Sequence, residues 1–489
     1  MSSKFFQLNF ASGRNRVKGN PHFAREHRVR RSDNIRVGIW SKWDWDGATL
    51  TASNCRFGMV PLYYFEKGDT FCISDSIETL LECGAPQELD DVGLSVFIRR
   101  QNFVGEDTPF KSIRCLAPNS RLTWSEGRLN IESAPFRSSP QHLKPAAILE
   151  GIHELFAQSI ARRLPKSNRF TVPLSGGKES RRILFELARQ SHLPEFCVTA
   201  MHPPPRANED AKVSALITER LGIEQRLIPA EWASIALEKD KNRRMGFSTL
   251  EHNWVVPMAR YLPSAVDCSY DGINIDCNLY SDKRARLFGD GKLTELAIDI
   301  LGDSEATLSQ TLSAETYKLL SRDKAIHRVV EDLKLHAEQV CPTSSFLFWS
   351  RMRRAVAPVP FGLLHDIETV HTPFLDKELF EFSMSIPEPI LVGGQVYREA
   401  IEKSYPEWRD IPYADSSLST QPNRQHNRRY LTQLCAYLAD GNLRSRIIDV
   451  PRTLPRILKG AVSGSQERFG WIQPQLITFL LQLEGLARG

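Results

Sequence analysis

The chain has 489 residues, 25% of them charged and 41% hydrophobic, and a net charge of +5. This is the composition of a folded protein too long for one ordinary core; no uninterrupted apolar run could span a bilayer and no secretory signal opens the chain, so a cytoplasmic location is expected. The nine cysteines are scattered and form no Cys-x-x-Cys, which argues against a disulfide framework or zinc knuckle and for buried free thiols.

Residues 1–34 read as a basic arm. His27, Arg28, Arg30 and Arg31 cluster there without an aromatic platform, the pattern of a solvated segment rather than a nucleic-acid surface. Over residues 35–140 alternating runs broken at Asp46-Gly47, Lys67-Gly68 and Glu126-Gly127 predict antiparallel strands joined by tight turns. With a helix in the stretch from Glu88 to Phe103, this makes a smaller α+β domain, closed by the Pro- and Ser-containing linker SAPFRSSPQHLKP.

A helix from Pro145 leads to the stretch around which the second domain, 145–425, is organised. Phe170, Val172 and Leu174 alternate as in a buried strand; Ile183, Leu184, Leu187 and Ala188 fall at helical spacing, so a helix is expected from Arg181. Between them lies Ser175-Gly176-Gly177-Lys178-Glu179-Ser180. A glycine-rich turn entering a helix offers backbone N–H groups and the positive helix end to phosphate, and the two serine hydroxyls add donors. Phe196–His202 and the segment EQRLIPA are the next strands, separated by a helix with Asn208 as its cap and Gly222 at its end. The alternation predicts a doubly wound parallel sheet with ligand at the strand C-termini, Thr199 included. A helix over Thr249–Leu262 and a strand over 265–269 then lead to an acidic turn carrying Asp271 and Asp276. Asp376 is expected to cap the helix that follows His371-Thr372-Pro373-Phe374-Leu375. Residues 426–489 read as a helical extension to which no chemistry is assigned.

The loop Ser175–Ser180 resembles the SGGxDS loop of the pyrophosphatase-type nucleotide-binding fold, with Glu179 in place of Asp. Arg56–Tyr64 resembles an RFGxxPLYY segment, Leu116–Ser120 an LPPG turn, His371–Asp376 an RxPFLD segment, and Trp408–Pro412 an RDIP turn. Motifs of this kind occur in this order in the asparagine synthetase family. The resemblance implies an ATP-binding synthetase domain preceded by a degenerate, Ntn-hydrolase-like glutaminase domain. It implies a carbon–nitrogen ligase that activates a small-molecule or peptide carboxylate as an acyl-adenylate for attack by an amine or ammonia, in specialised-metabolite or peptide biosynthesis, with no nucleic-acid or membrane partner. ATP would lie on Leu174, Ser175, Gly176, Gly177, Glu179, Ser180 and Thr199, with Mg²⁺ on Glu179 and Asp276 and catalytic roles for Lys178, Asp271 and Glu368.

Two departures stand out. Position 2 is Ser2 where the family's glutaminase has its nucleophilic Cys, so the first domain is expected to lack glutaminase activity. The segment Tyr413–Thr420 lacks the family's pyrophosphate-binding Lys, leaving Lys178, Lys403, Arg351, Arg353 or Arg354 to supply that charge. Two other readings stay open: a tRNA-modifying ATP pyrophosphatase, and a non-catalytic relic that acts as a binding partner.

Overall fold

The computed structural model describes residues 3–30, 33–141, 144–204, 206–275, 281–415, 417, 423–442, 444–465 and 473–488. It is a mixed α/β protein with several sheets. Among the described residues no helix is long and apolar enough to cross a membrane.

The first half carries β1 (Phe5–Ala11), β2 (Arg14–Gly19), β3 (His22–Arg30), β4 (Arg36–Trp45), β5 (Thr49–Asn54), β6 (Tyr63–Lys67), β7 (Thr70–Ser74), β8 (Arg114–Cys115), β9 (Ser120–Ser125) and β10 (Arg128–Ser133). They form two antiparallel sheets, ordered β2-β1-β7-β6-β8 and β10-β9-β5-β4-β3. The alternating strands bury Phe6, Leu8, Trp43, Leu50, Phe71, Leu122 and Trp124 between the sheets. The turns expected at Asp46-Gly47, Lys67-Gly68 and Glu126-Gly127 join β4 to β5, β6 to β7 and β9 to β10.

The expected arm is not an arm: β1, β2 and β3 occupy it. Ser12 and Gly13 both take positive φ (53° and 72°), which closes β1 onto β2 in a two-residue hairpin. The basic residues hid this, because charge on the exposed face of an edge strand reads like charge in a loop. His27 of β3 is buried and pushed down to about 4, chiefly by burial. Its Nδ1 accepts the Val370 N–H at 3.1 Å, docking the first half on the second.

The C-terminal helices Arg424–Tyr437, Val450–Ser463 and Gln473–Arg488 return to the first half. They share a core with β6, β7 and the helix Asp91–Arg100, where Phe97 stacks on Phe479 at 4.3 Å. The linker is also docked: the Gln339 side chain bonds Ser138 and the Phe136 carbonyl.

The second half holds a parallel sheet of β11 (Phe170–Thr171), β12 (Phe196–Met201), β13 (Glu224–Pro229), β14 (Cys268–Tyr270) and β15 (Thr369–His371). β11-β14-β15 and β12-β13 pair directly, and a parallel Pro173–Val198 bridge joins the two sets. The spatial order β13-β12-β11-β14-β15 reverses direction between β11 and β14, the place where a crevice opens above the strand C-termini. The helix expected from Thr249 starts later: a short turn Asn253–Val255 precedes the helix Val256–Ala265.

Arg353 and Arg354 weld the halves. Arg353 donates to the carbonyls of Gly58 (3.3 Å), Gly105 (3.2 Å) and Leu116 (2.9 Å), and Arg354 to that of Asp107 (2.6 Å). Both are buried, and neither is among the residues lining the crevice above the parallel sheet.

Candidate functional site

A cleft of about 500 Å³ lies at the C-terminal ends of β11, β12 and β14. Its floor is the loop after β11. The Leu174 N–H donates to Val198 O (2.8 Å), and its carbonyl accepts from the hydroxyls of Thr199 (2.9 Å) and Ser214 (3.3 Å), so β12 and the next helix fix the loop's start. The helix Glu179–Arg189 begins two residues ahead of its apolar pattern, with Lys178 at its N-cap position.

Neither Gly176 nor Gly177 takes a positive φ. Gly176 is needed for close approach: a Cβ there would lie 2.4 Å from the Ala414 Cβ. The Ala414 N–H donates to Gly176 O at 3.1 Å. Arg181 straps the same two segments together. It donates to the carbonyls of Gly176 (3.0 Å), Gly177 (2.9 Å), Ile411 (3.0 Å) and Pro412 (2.6 Å), and lies 4.0 Å from the Tyr413 ring centroid. The Lys-less segment thus serves as a brace for the loop, with the guanidinium committed to backbone carbonyls.

Leu174, Ser175, Glu179, Ser180, Thr199 and Asp271 all line the cleft. Gly176, Gly177 and Lys178 are not among its lining residues. Ser175 and Ser180 bond each other through their hydroxyls at 3.1 Å. The turn Asp271-Gly272 packs on the loop so closely that a Cβ on Gly272 would come within 2.8 Å of the Glu179 Cβ. Burial lifts the Asp271 carboxyl to about 6, opposed by the Ile273 N–H it accepts at 2.8 Å.

Two expectations fail and one lies outside the described residues. Glu368 is exposed just before β15, and a parallel strand carries its N-terminal end away from the cleft; it cannot serve there. Asp376 stands at a helix start without making a capping bond; it pairs instead with Arg162 and Arg163, each at 2.8 Å. Two guanidiniums outcompete a backbone N–H for a buried carboxylate. Asp276 belongs to residues 276–280, outside the described set. Of the other candidate cations, Lys403 faces Glu399 at 3.8 Å on an exposed surface, and Arg351 alone lines the cleft.

Sequence reasoning missed Arg206, Asp210 and Trp254, which line the cleft. Asp210 stands in the first turn of the helix Glu209–Leu221, and its Oδ1 accepts the Gly176 N–H at 2.9 Å. Arg206 lines the cleft beside Asp210, which holds its charge against the lowering effect of burial. Trp254 is 40% exposed in the cleft, its ring 6.2 Å from His202 and 6.4 Å from His252. Burial pushes those imidazoles down to about 4 and about 3, so both are neutral at physiological pH.

The cleft has the size of a nucleotide site, and a helix N-terminus, two hydroxyls and Arg206 suit a polyphosphate. Among the described residues no group of three or more His, Cys, Asp or Glu side chains is placed to hold a metal on its own. Mg²⁺ carried on a nucleotide needs only one or two carboxylates; Glu179 lines the cleft, and Asp276, the second expected ligand, lies outside the described residues.

No family model matches the chain, and no curated protein matches it. Among solved structures it is similar to a U34-tRNA thiolase NcsA from Methanococcus maripaludis with its [4Fe-4S] cluster (16% identity, TM-score 0.23, 43% of this chain and 80% of that one). It is also similar to a glutamine phosphoribosylpyrophosphate amidotransferase from B. subtilis complexed with ADP and GMP (10% identity, TM-score 0.13, 40% of this chain and 33% of that one). A third likeness is to a structure described as the allosteric regulatory enzyme of purine biosynthesis (8% identity, TM-score 0.15, 39% and 47%). The chain spans less than half of the last two proteins.

Proposed function

We propose that the protein is an ATP-dependent, AMP-forming amide ligase of the asparagine synthetase type, acting on a carboxylate and an amine or ammonia. The observation that carries this reading is the Ser175–Ser180 loop: it opens an 11-residue helix at the floor of a cleft, with the Asp271-Gly272 turn packed against it. Bound Mg-ATP supplies the leaving groups, pyrophosphate on activation of the carboxylate and AMP on amide formation. Ser175, Ser180 and the helix N-terminus hold phosphate oxygens, and Glu179 directs a carboxylate at their cation. Arg206, beside the loop, takes the place of the missing Lys as a counter-charge to the departing pyrophosphate. Asp271, ionised at neutral pH but raised to about 6, accepts the proton of the attacking amine at a carboxylate oxygen.

The first half acts in this reading as a scaffold without glutaminase activity, and residue 2 lies outside the described residues. Purified protein should release no glutamate from glutamine; release abolished by Ser2→Ala would overturn the point.

A non-catalytic reading has one observation in its favour. The Ser175, Gly176 and Gly177 N–H groups are already engaged by the Ser180 hydroxyl, the Asp210 carboxylate and the Ser175 hydroxyl. A thermal shift with Mg-ATP separates the two. Ligand at a hundred times its Kd adds about 2.7 kcal/mol of stability. A Mg-dependent shift, lost in Glu179→Ala, supports the ligase and opens a screen for carboxylates that release AMP and pyrophosphate. No shift in the wild-type protein leaves the non-catalytic reading standing.

A further inference from the structure

Behind the cleft, a buried guanidinium faces a second, smaller cavity. Arg182 stands in the first turn of the helix Glu179–Arg189 and is fully buried. Its Nη2 donates to the Ile152 carbonyl at 2.8 Å, while Nε and Nη1 have no hydrogen-bond partner among the described residues. Glu186, one turn further along, forms no ion pair with it. That carboxylate accepts instead from Gln190 Nε2 (2.8 Å) and from the Tyr405 hydroxyl (2.7 Å), which the guanidinium also approaches. The guanidinium carbon lies 4.2 Å from the Phe156 ring centroid and 5.3 Å from that of Tyr397, so aromatic faces supply part of its stabilisation. They do not neutralise the charge.

The cavity that Arg182 lines has a volume of about 20 Å³. Phe374, Leu379, Ile386 and Leu391 make its walls apolar, and Asn274 and Ser383 add polar groups. Room of this size admits one water or one monatomic ion. A water accepts a hydrogen bond but leaves the charge uncompensated, and an unpaired charge in an apolar surround costs far more than a paired one. Arginine does not escape that cost by releasing its proton, because guanidinium stays charged at any physiological pH.

We propose that this cavity is a binding site for a small monovalent anion of chloride size, held by the Arg182 guanidinium. Asn274 lines both the cavity and the cleft, and Arg182 lies on the helix that the Ser175–Ser180 loop opens. The ion therefore ties the start of that helix to the segment after the Asp271-Gly272 turn. The site requires no ligase activity, so it stands or falls separately from the reading above.

The test is a set of melts of the full chain in which sodium gluconate is replaced by sodium chloride at constant ionic strength, without nucleotide. Gluconate is too large for the cavity, so only chloride can occupy it. The wild-type melting temperature should rise and level off, by about 2–4 °C at saturating chloride, and bromide should act in the same way. Arg182→Met should lose this response. Ser383→Val keeps the guanidinium and puts its extra carbons into the cavity; it should lose the response as well, and it answers the question if Arg182→Met does not fold. In crystals grown with bromide, the anomalous signal should place an ion at the Arg182 guanidinium. Equal wild-type melting temperatures in chloride and gluconate would mean that a water alone solvates Arg182, and would overturn the proposal. A chloride response kept in either variant, or bromide bound elsewhere and absent from this cavity, would overturn it too.

Discussion

Between the two antiparallel sheets the interior is filled by Phe6, Trp43, Phe71 and Trp124, whereas above the parallel sheet a cleft of about 500 Å³ stays open among Ser175, Glu179, Arg206 and Asp271. The contrast has a physical origin. Antiparallel strands satisfy their backbone laterally, and their alternating side chains can close the space between two sheets. A parallel sheet sends its strand C-termini and the following helix N-termini to one edge, where unsatisfied donors and aligned dipoles converge. Charged side chains are therefore useful at that edge and costly inside the sandwich. In the first half the polar groups that matter are those that weld it to its neighbour.

Trp124→Ala tests the sandwich side of this contrast with the largest expected effect. Its ring is 1% exposed, so truncation should cost about 3–5 kcal/mol in chemical denaturation. The shift given by Mg-ATP should survive; its loss would mean that the sandwich takes part in binding. Gly176→Ala comes next and acts on the brace behind the loop. The new methyl meets Ala414, so about 1–3 kcal/mol should be lost, while Gly177→Ala, whose Cβ would sit 3.1 Å from the Ser175 hydroxyl, should lose less.

Asp271→Asn should remove activity and yet stabilise the protein. The folded-state carboxyl lies above its unfolded value of 3.8, so the native state holds this proton to higher pH and wild type loses stability as pH rises from about 4 through about 6. The variant does not titrate there. It should match wild type near pH 4 and exceed it at pH 7 by on the order of 3 kcal/mol, as read from melts across that range. A flat difference would place the carboxyl in water rather than in the cleft wall. The smallest effect is expected for Lys403→Ala: the side chain is 66% exposed and its pair with Glu399 is long, so stability should move by less than about 0.5 kcal/mol. A large loss of activity would return Lys403 to the list of pyrophosphate cations.

Local patterns were legible wherever a residue's role depends on its neighbours in sequence. The hairpin turns at Asp46-Gly47 and Glu126-Gly127, the strand–loop–helix around Ser175–Ser180, and the strands ending at Met201 and Pro229 were readable from spacing. The strands in residues 5–30 were not, because their burial comes from partners far along the chain: β7 for β1, and β15 for His27. Asp376 and Glu368 misled for the same reason. A cap and an ion pair offer the same carboxylate, and only the approach of Arg162 and Arg163 decides between them.

The sequence by itself determined the alternation of strand and helix, the glycine-rich loop at a helix start, and a carboxylate in the turn at Asp271, since these follow from backbone preference and short-range hydrophobic period. Tertiary structure alone decided which charges meet. It turned Arg181 and Arg353 onto backbone carbonyls, set Asp210 on Gly176, and paired Arg351 with Glu251 at the cleft. An arginine's side chain is long and carries the same charge everywhere, so its partner is set by which oxygen the fold brings within reach.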